Sequence, residues 1–391
     1  MTPSPEALGL SPAGWEALVE EWSLARYRGR QIFDALHRRG VRDYAAMREL
    51  PKDVRERLSR EWPLRLPQIV QRDEAADGSV KYALSLADGA LIEAVFMPGD
   101  AGRSVANEFA DARAASNPKS KIQNPKSTTP QARFTVCLSS QTGCAVDCAF
   151  CVTGRLGGGR NLSAGEIIGQ LDAVLSDVKR TTEGMRIVFM GMGEPFLNPE
   201  GVLGALGVLG EVLSPRRITV STSGITPAFE RFAELPRRPN LAVSINAADP
   251  ETRSKLMPIT RSYPLNGLLA AMRAWPLEPR RRILVEYVLI AGVNDSPEAA
   301  TKLVRLLAGL RVKVNVIPLN EDPIYLPGLT RPSEQTIDRF VKVLADAGLT
   351  VTVRRSKGPD VAAACGQLKG RTEDPRNAAR SQRDRNVNAG K

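Results

Sequence analysis

Three cysteines spaced Cys144-x-x-x-Cys148-x-x-Cys151 are the residues of this chain best suited to chemistry. Their spacing differs from the paired Cys-x-x-Cys of a zinc ribbon. Three thiolates in one short loop can hold three irons of a four-iron cluster and leave the fourth iron open. Such an open iron can bind and reduce a small molecule, in addition to carrying electrons.

Two other uses of these cysteines are a zinc site and disulfide bonds. A fourth cysteine, Cys137, precedes Cys144 by a short segment. Structural zinc accepts four thiolates, so Cys137 could complete a zinc site. Residues 134–138 alternate apolar side chains, however, which is typical of a strand rather than a zinc knuckle. Disulfides are disfavoured, since the N-terminus has no apolar signal segment and the thiols are expected in a reducing cytoplasm.

The composition of the 391-residue chain limits its possible functions. It has 54 basic and 43 acidic residues, and this net charge of +11 suits a polyanionic partner such as nucleic acid. No apolar run is long enough to span a bilayer. The single histidine, His37, lies in an amphipathic helical pattern, for which we predict a surface position. With one histidine, the chain cannot form a histidine-rich metal site, and a Ser-His-Asp hydrolase is disfavoured. Any proton transfer is therefore expected from carboxylates, lysines or thiols.

Strand and helix periods alternate from residue 133 onward. Strands are predicted at 134–138, 186–190, 216–221, 240–245, 283–290 and 312–317, and helices beginning near Ser163, Pro199, Thr226, Pro264, Ser296 and Pro332. This alternation predicts an α/β fold whose parallel sheet has right-handed crossovers. Six such units suit a partial, open barrel.

The unusual residues of the chain follow the carboxyl ends of successive predicted strands. The cysteine loop follows the first strand, and the others lie at 191–195 (Gly-Met-Gly-Glu-Pro), 221–224, 244–246 and 318–320. Parallel barrels carry their active sites on this rim. We therefore expect one site assembled from five strand ends.

The flanking segments divide the rest of the chain. Residues 1–66 read as a small helical accessory domain, in which the basic cluster 26–30 is either a solvated face or a phosphate-binding patch. A β-hairpin is predicted within residues 67–100, with strands at 80–86 and 91–96. Its second strand contains Glu93. Residues 101–132 predict a disordered insertion. The core is predicted at residues 133–358. Residues 359–391 are predicted to form a loop that contains Cys365, followed by a basic tail.

Longer strings of residues resemble one family. A cysteine triad after the first strand and a Gly-Glu-Pro motif after the second resemble the radical S-adenosylmethionine (SAM) superfamily. The strings that narrow this to its RlmN branch are Cys137-Leu-Ser-Ser-Gln-Thr-Gly-Cys144, Arg160-Asn-Leu-Ser-Ala-Gly-Glu-Ile-Ile-Gly-Gln170, Met190-Gly-Met-Gly-Glu-Pro195 and Ala364-Cys-Gly-Gln-Leu368. Enzymes of that branch methylate C2 of an adenosine in 23S rRNA and in tRNA. The resemblance implies a partial (β/α)6 TIM-like radical SAM barrel with an N-terminal RNA-recognition domain.

The resemblance also implies a role for every cysteine. The triad would hold a [4Fe–4S] cluster that reduces SAM to a 5′-deoxyadenosyl radical. Cys365 would first take a methyl group from another SAM, and the radical would activate this S-methyl group for addition to C2. Glu93 would then remove the C2 proton, and Cys137 would release the product through a transient disulfide with Cys365.

The SAM contacts implied by the same resemblance are Gly193, Glu194, Ser221, Ser244, Ile245, Asn246 and Asn320. Glu194 could accept a hydrogen bond from the methionyl ammonium, and Gly193 would let the ligand approach the backbone closely. Two positions depart from the family pattern. Ser244-Ile-Asn246 stands in place of Ser-Leu-His, and Asn320-Glu321 in place of Asn-Pro.

Three functions are consistent with these residues. The leading one is an RNA adenine-C2 methyltransferase, a cytoplasmic monomer acting on 23S rRNA and tRNA with electrons from a donor such as flavodoxin. Close relatives of the Cfr type methylate C8 of the same nucleotide, and their motifs overlap with these. A basic RNA-binding protein with a structural zinc site is the alternative outside the enzymes, but it leaves Cys365 without a role.

Overall fold

The computed structural model describes residues 6–99, 133–354, 358, 361 and 366–368. The predicted insertion, Cys365 and most of the predicted tail lie outside these residues. Within the described ranges, ten strands form one mixed sheet in chain order. Strands β1 to β10 are Gln68–Glu74, Val80–Ser85, Leu91–Pro98, Phe134–Cys137, Met185–Phe189, Ile218–Thr222, Asn240–Ser244, Ile283–Leu289, Val312–Pro318 and Val351–Val353.

The helices begin where the sequence supplies caps. Helices α1 to α11 are Pro12–Glu21, Tyr27–His37, Lys52–Glu61, Val152–Arg155, Ala164–Asp177, Pro199–Val212, Phe229–Ala233, Pro250–Leu256, Leu265–Ala274, Pro297–Leu306 and Glu334–Asp346. At α5 the Ser163 hydroxyl accepts the Glu166 N–H (3.1 Å), and the Glu166 carboxylate accepts the Ser163 N–H (3.0 Å). This capping box satisfies two donors that the helix itself cannot. In the described chain, no helix has the length and apolar character needed to cross a membrane.

The sheet is antiparallel at its N-terminal side and parallel afterwards. Strands β1 to β4 pair antiparallel, whereas β4 to β10 pair parallel. All five residues of β6 are buried, as expected for parallel strands covered on both faces. The order ends at β1 and β10 without a closing pair in the described ranges, so the barrel is partial. The predicted α/β fold with a partial TIM-like barrel is confirmed.

The N-terminal helices pack directly on the barrel. One buried core runs from Trp15 and Phe33 through the sheet to α11. The Arg42 guanidinium lies 2.5 Å from the Asp172 carboxylate on α5 and ties the two parts together. His37 is half-buried, with its ring centroid 4.6 Å from that of Phe33, and burial lowers its pKa to about 3. The predicted surface position of His37 was therefore wrong, because the end of α2 packs inward.

Several elements differ from the predictions. The third parallel strand begins at Ile218 rather than 216, because Pro215–Arg217 form a 3₁₀ turn. The helix predicted near Thr226 begins at Phe229 after another 3₁₀ turn. Strand β1 was not predicted, since it lies at the sheet edge with mostly exposed side chains and lacks the alternation of a half-buried strand. Helix α8 was not predicted either.

Candidate active site

A partly open cavity of about 160 Å³ lies at the carboxyl ends of the parallel strands. The predicted site residues that line it are Cys144, Cys148, Cys151, Gly193, Glu194, Ser221, Ser244 and Asn320. They come from the exits of β4, β5, β6, β7 and β9. The structure thus brings these eight residues together at the expected rim, whereas Glu93, Cys137, Ile245 and Asn246 are not part of the lining.

Strand register shows where Glu93 and Cys137 face. Residues paired across a sheet project on the same face, and so do residues two apart in a strand. The pairing from β4 to β8 puts Cys137 on the face that carries Ser221 and Glu286, both of which line the cavity. Cys137 is also paired with Val95, two residues from Glu93. Both predicted catalytic groups therefore project from the interior face of the sheet.

The cysteine loop is held by backbone contacts. The Cys144 N–H donates to the Gly157 carbonyl (2.9 Å), and the Ala149 N–H donates to the Leu256 carbonyl on α8 (2.9 Å). A Cβ on Gly143 would lie 2.6 Å from the Gly157 carbonyl oxygen, so only glycine fits there. These contacts fix the loop against two neighbouring segments before any ligand binds.

The three thiols suit a cluster. Burial raises the pKa of Cys144 to about 12 and raises that of Cys148 well above its ordinary value. Both thiols are therefore protonated at neutral pH until a cation displaces their protons. Among the described residues, no three His, Cys, Asp or Glu side chains are grouped to hold a single metal ion. Three sulfurs at the wall of one cavity can hold three irons of a [4Fe–4S] cluster and leave one iron without a protein ligand.

Glu194 is a buried carboxylate on the cavity wall, only 4 % exposed. It accepts the N–H groups of Phe196 (3.0 Å) and Ser223 (2.7 Å). Burial raises the pKa of Glu194, while these hydrogen bonds to the charged form oppose the shift. A cationic ammonium in the cavity would favour the ionised form. The preceding Gly193 has φ +96°, and a Cβ there would lie 2.6 Å from the side chain of Gln141, so this turn needs glycine.

Glu286 is a cavity residue that was not predicted from the sequence. It lies in the middle of β8, is 6 % exposed, and accepts a hydrogen bond from the Ser221 hydroxyl (2.8 Å). Burial raises the pKa of Glu286, and the nearby Arg354 opposes the shift. The available signal was a carboxylate inside an apolar strand, which is the same signal that singled out Glu93.

Ile245 and Asn246 are used inside the protein. The Ile245 N–H donates to the Glu286 carbonyl (3.0 Å), and its side chain is fully buried. The Asn246 side chain accepts the Val288 N–H (2.8 Å) and donates to the Met257 sulfur (3.1 Å). Asn246 also has φ +57°, a conformation that asparagine tolerates better than most residues. Its amide therefore has a structural role that explains asparagine at this position.

Asn246→Ala is expected to lower the free energy of unfolding by about 2–3 kcal/mol. The change leaves the partly buried Val288 N–H without its acceptor and puts alanine at positive φ. Asn246→Gly loses the same hydrogen bonds but accepts the backbone conformation, so its loss is expected to be smaller. Chemical denaturation of the three proteins measures both. An alanine variant as stable as the parent protein contradicts the structural role.

The segment after Cys365 is anchored at the cavity. The Gly366 carbonyl accepts the Val152 N–H (2.7 Å), and the Leu368 carbonyl accepts the Thr153 hydroxyl (2.8 Å). Gly366 also lines the cavity. Cys365 lies outside the described residues, but the residue next to it in the chain is bonded to the helix that follows the cysteine loop.

The basic cluster 26–30 is largely occupied by contacts within the protein. Arg26 pairs with Glu16 (2.7 Å), Arg28 donates to the Glu49 carbonyl (2.5 Å), and Arg30 pairs with a glutamate of α6 (3.3 Å). Of the two interpretations left open by the sequence, these contacts favour a structural face over a dedicated phosphate site.

Comparison with known proteins identifies the family. Residues 138–304 match the radical SAM superfamily, and residues 6–62 match the ribosomal RNA large subunit methyltransferase N-terminal domain. A probable dual-specificity RNA methyltransferase RlmN from Koribacter versatilis is 43 % identical over 361 residues, covering 91 % of this chain and 99 % of the relative. The dual-specificity RNA methyltransferase RlmN of Sorangium cellulosum is 44 % identical over 368 residues, covering 90 % and 94 %.

A solved structure gives the same result. The crystal structure of a radical SAM methyltransferase from Sphaerobacter thermophilus superposes with a TM-score of 0.79 at 40 % identity, covering 94 % of this chain and all of that one. Radical SAM enzymes use a [4Fe–4S] cluster and SAM, and these are the cofactors of this chain. A structural zinc protein is thereby excluded as its class. The chain belongs to the RlmN family of radical SAM RNA methyltransferases.

Proposed function

We propose that this enzyme methylates C2 of an adenosine in 23S rRNA and in tRNA through an S-methyl group on Cys365. The observation that carries the proposal is the hydrogen bond between the Gly366 carbonyl and the Val152 N–H (2.7 Å). It anchors the residue after Cys365 to the residue after Cys151. The chain directly after Cys365 is therefore held at the cavity wall, which Gly366 lines. The names of the relatives, dual-specificity RNA methyltransferases, support RNA as the substrate class.

The chemistry of C2 explains the need for such a site. C2 of adenine is electron-poor and has no useful acidity, so direct transfer from a sulfonium to this carbon fails. When bound to Cys144, Cys148 and Cys151, the cluster supplies an electron to SAM and gives access to radical chemistry. Around it, Glu194 is proposed to accept a hydrogen bond from the methionyl ammonium. The other proposed contacts are Gly193, Ser221, Ser244 and Asn320 on the cavity wall. Ile245 and Asn246 are proposed to contribute through their backbone, since their side chains are buried within the protein.

Release of the product is assigned to Glu93 and Cys137. In this proposal Glu93 removes the C2 proton, and Cys137 frees the methylated base by forming a disulfide with Cys365. Supporting this, both side chains project from the face of the sheet that lines the cavity. The Lys81 ammonium lies 3.8 Å from the Glu93 carboxylate, and the Ser139 hydroxyl donates to the Glu93 carbonyl (2.6 Å). These contacts hold Glu93, which is on β3, in a defined position beside the end of β4.

Nucleoside analysis tests the proposal directly. Cells lacking the gene are complemented with this chain or with its Cys148→Ala variant, and rRNA and tRNA are digested separately for mass analysis. We expect 2-methyladenosine in both pools with the parent chain and in neither with the variant, whose cluster ligand is missing. Finding 8-methyladenosine without 2-methyladenosine would assign the chain to the Cfr type. Methylation in one pool only would narrow the substrate.

The remaining assignments are part of the same proposal. Residues 1–66 are proposed for RNA recognition, although the cations of cluster 26–30 are engaged within the protein. The boundaries at 67–100, 133–358 and 359–391 remain predictions. An RNA substrate and reduced thiols suit a cytoplasmic monomer that receives electrons from a flavodoxin-like donor. Salt-dependent RNA binding is expected from the net charge of +11.

A further inference from the structure

Arg253 on α8 is a fully buried cation, with 0 % of its surface exposed. Its guanidinium donates to the carbonyls of Ser223 (2.8 Å), Ser244 (3.1 Å) and Ile245 (3.1 Å) and to the Thr260 hydroxyl (2.6 Å). All four acceptors are neutral. Among the residues that the structure describes, these bonds satisfy the N–H groups but none of them brings a negative charge to the guanidinium. A buried charge is costly unless an opposite charge lies near it.

The acceptors of Arg253 belong to the segments that form the SAM side of the cavity. The Ser223 carbonyl accepts from Arg253, while the N–H of the same residue donates to the Glu194 carboxylate (2.7 Å). Ser244 ends β7 and lines the cavity. One guanidinium thus connects the exit of β6, whose Ser223 N–H binds Glu194, to the exit of β7.

The same helix carries Arg253 to the cysteine loop. The Leu256 carbonyl on α8 accepts the Ala149 N–H (2.9 Å), and the Cys148 side chain packs on a cluster that contains Leu256 and Met257. Burial lowers the pKa of Arg253 to about 10, and the Cys148 sulfur opposes this shift. The Arg253 carbonyl accepts the N–H of Met257 (2.7 Å), one of the residues on which Cys148 packs. With the cluster bound, the Cys148 thiolate would place negative charge beside this guanidinium.

We propose that Arg253 is a positioning residue that links the SAM side of the cavity to the cysteine loop. Its charge beside Cys148 also favours the reduced state of the cluster. A four-iron cluster with three thiolate ligands becomes more negative when it takes up one electron. A fixed positive charge in a low-dielectric site stabilises that state more than the oxidised one. The inference depends on the family's cofactors and not on which carbon of adenine is methylated.

The test measures the reduction potential of the cluster, a quantity separate from methylation. Arg253→Gln keeps hydrogen-bonding capacity but removes the charge, whereas Arg253→Lys keeps a charge. After anaerobic reconstitution and iron analysis, each protein is titrated with EPR detection. We expect the glutamine variant to be reduced with an equilibrium constant at least about tenfold smaller, which is 59 mV for a one-electron couple. The lysine variant at pH 6 is expected to stay within about threefold of the parent enzyme.

The lysine variant also provides an internal switch if the glutamine variant does not fold. A buried lysine loses its proton more readily than arginine. The potential of Arg253→Lys should therefore fall between pH 6 and pH 9 relative to that of the parent enzyme. The matched control is Arg261→Gln, which neutralises an exposed arginine nearby and should leave the potential unchanged. A fully loaded glutamine variant with the parent's potential overturns the proposal. So does a lysine variant that tracks the parent at both pH values, or folded variants that bind no iron.

Discussion

Cys365→Ala is expected to abolish RNA methylation, by about 10⁴-fold or more, while reductive cleavage of SAM continues. In the proposed scheme the methyl group reaches RNA only from the sulfur of Cys365. Removing that sulfur stops transfer without touching the residues of the cluster loop. Methylated nucleosides measure the first effect. Release of 5′-deoxyadenosine from SAM and dithionite measures the second.

The two readouts separate a chemical role of Cys365 from a structural one. Cys365→Ser replaces sulfur by oxygen at nearly constant volume, so it should lose methylation as completely as the alanine variant. Iron content equal to that of the parent enzyme shows that the site is intact in both. Product formation by either variant contradicts the S-methyl route. Loss of SAM cleavage together with methylation indicates instead that the segment 366–368 has lost its anchor at Val152.

The rim of the barrel was predictable because parallel strands bring distant parts of the chain to one edge. Five short motifs separated by helices each follow a strand, so the topology alone assembles the cavity. Eight of the predicted site residues line it for this reason. The face of Glu93 was not predictable from its own strand. It required the pairing of Val95 with Cys137, which depends on how two strands separated by the insertion align.

Arg253 and Asn246 show what the sequence conceals. An arginine in a short charged segment, 250–256, reads as an exposed residue, and nothing local reveals that its acceptors lie on the exits of β6 and β7. Asn246 looked like a departure at a ligand contact. Its positive φ and its bond to Val288 instead give the amide a task within the fold. Both roles depend on contacts between different strands, which periodicity does not report.

Glu93→Gln is expected to slow formation of methylated RNA by about 10²–10⁴-fold, the range for loss of a general base. Glutamine keeps the size of the buried side chain and can still contact Lys81, but it cannot accept the C2 proton. The matched control is Glu74→Gln on β1, an exposed glutamate of the same sheet. That variant should methylate RNA at the parent rate, as measured by single-turnover assays with tRNA.

The order of steps gives Glu93→Gln a second signature. If the bond from the S-methyl carbon to C2 forms before the proton leaves, the variant should retain RNA covalently on Cys365. A band that resists denaturant, disappears with ribonuclease and is absent from Cys365→Ala is the expected result. Cys137→Ala should trap the same adduct, because its missing thiol acts later on the same bond. A glutamine variant that is slow but never forms the adduct contradicts the assignment of Glu93 as the base. Glu93 would then have only a structural role, through its contact with Lys81.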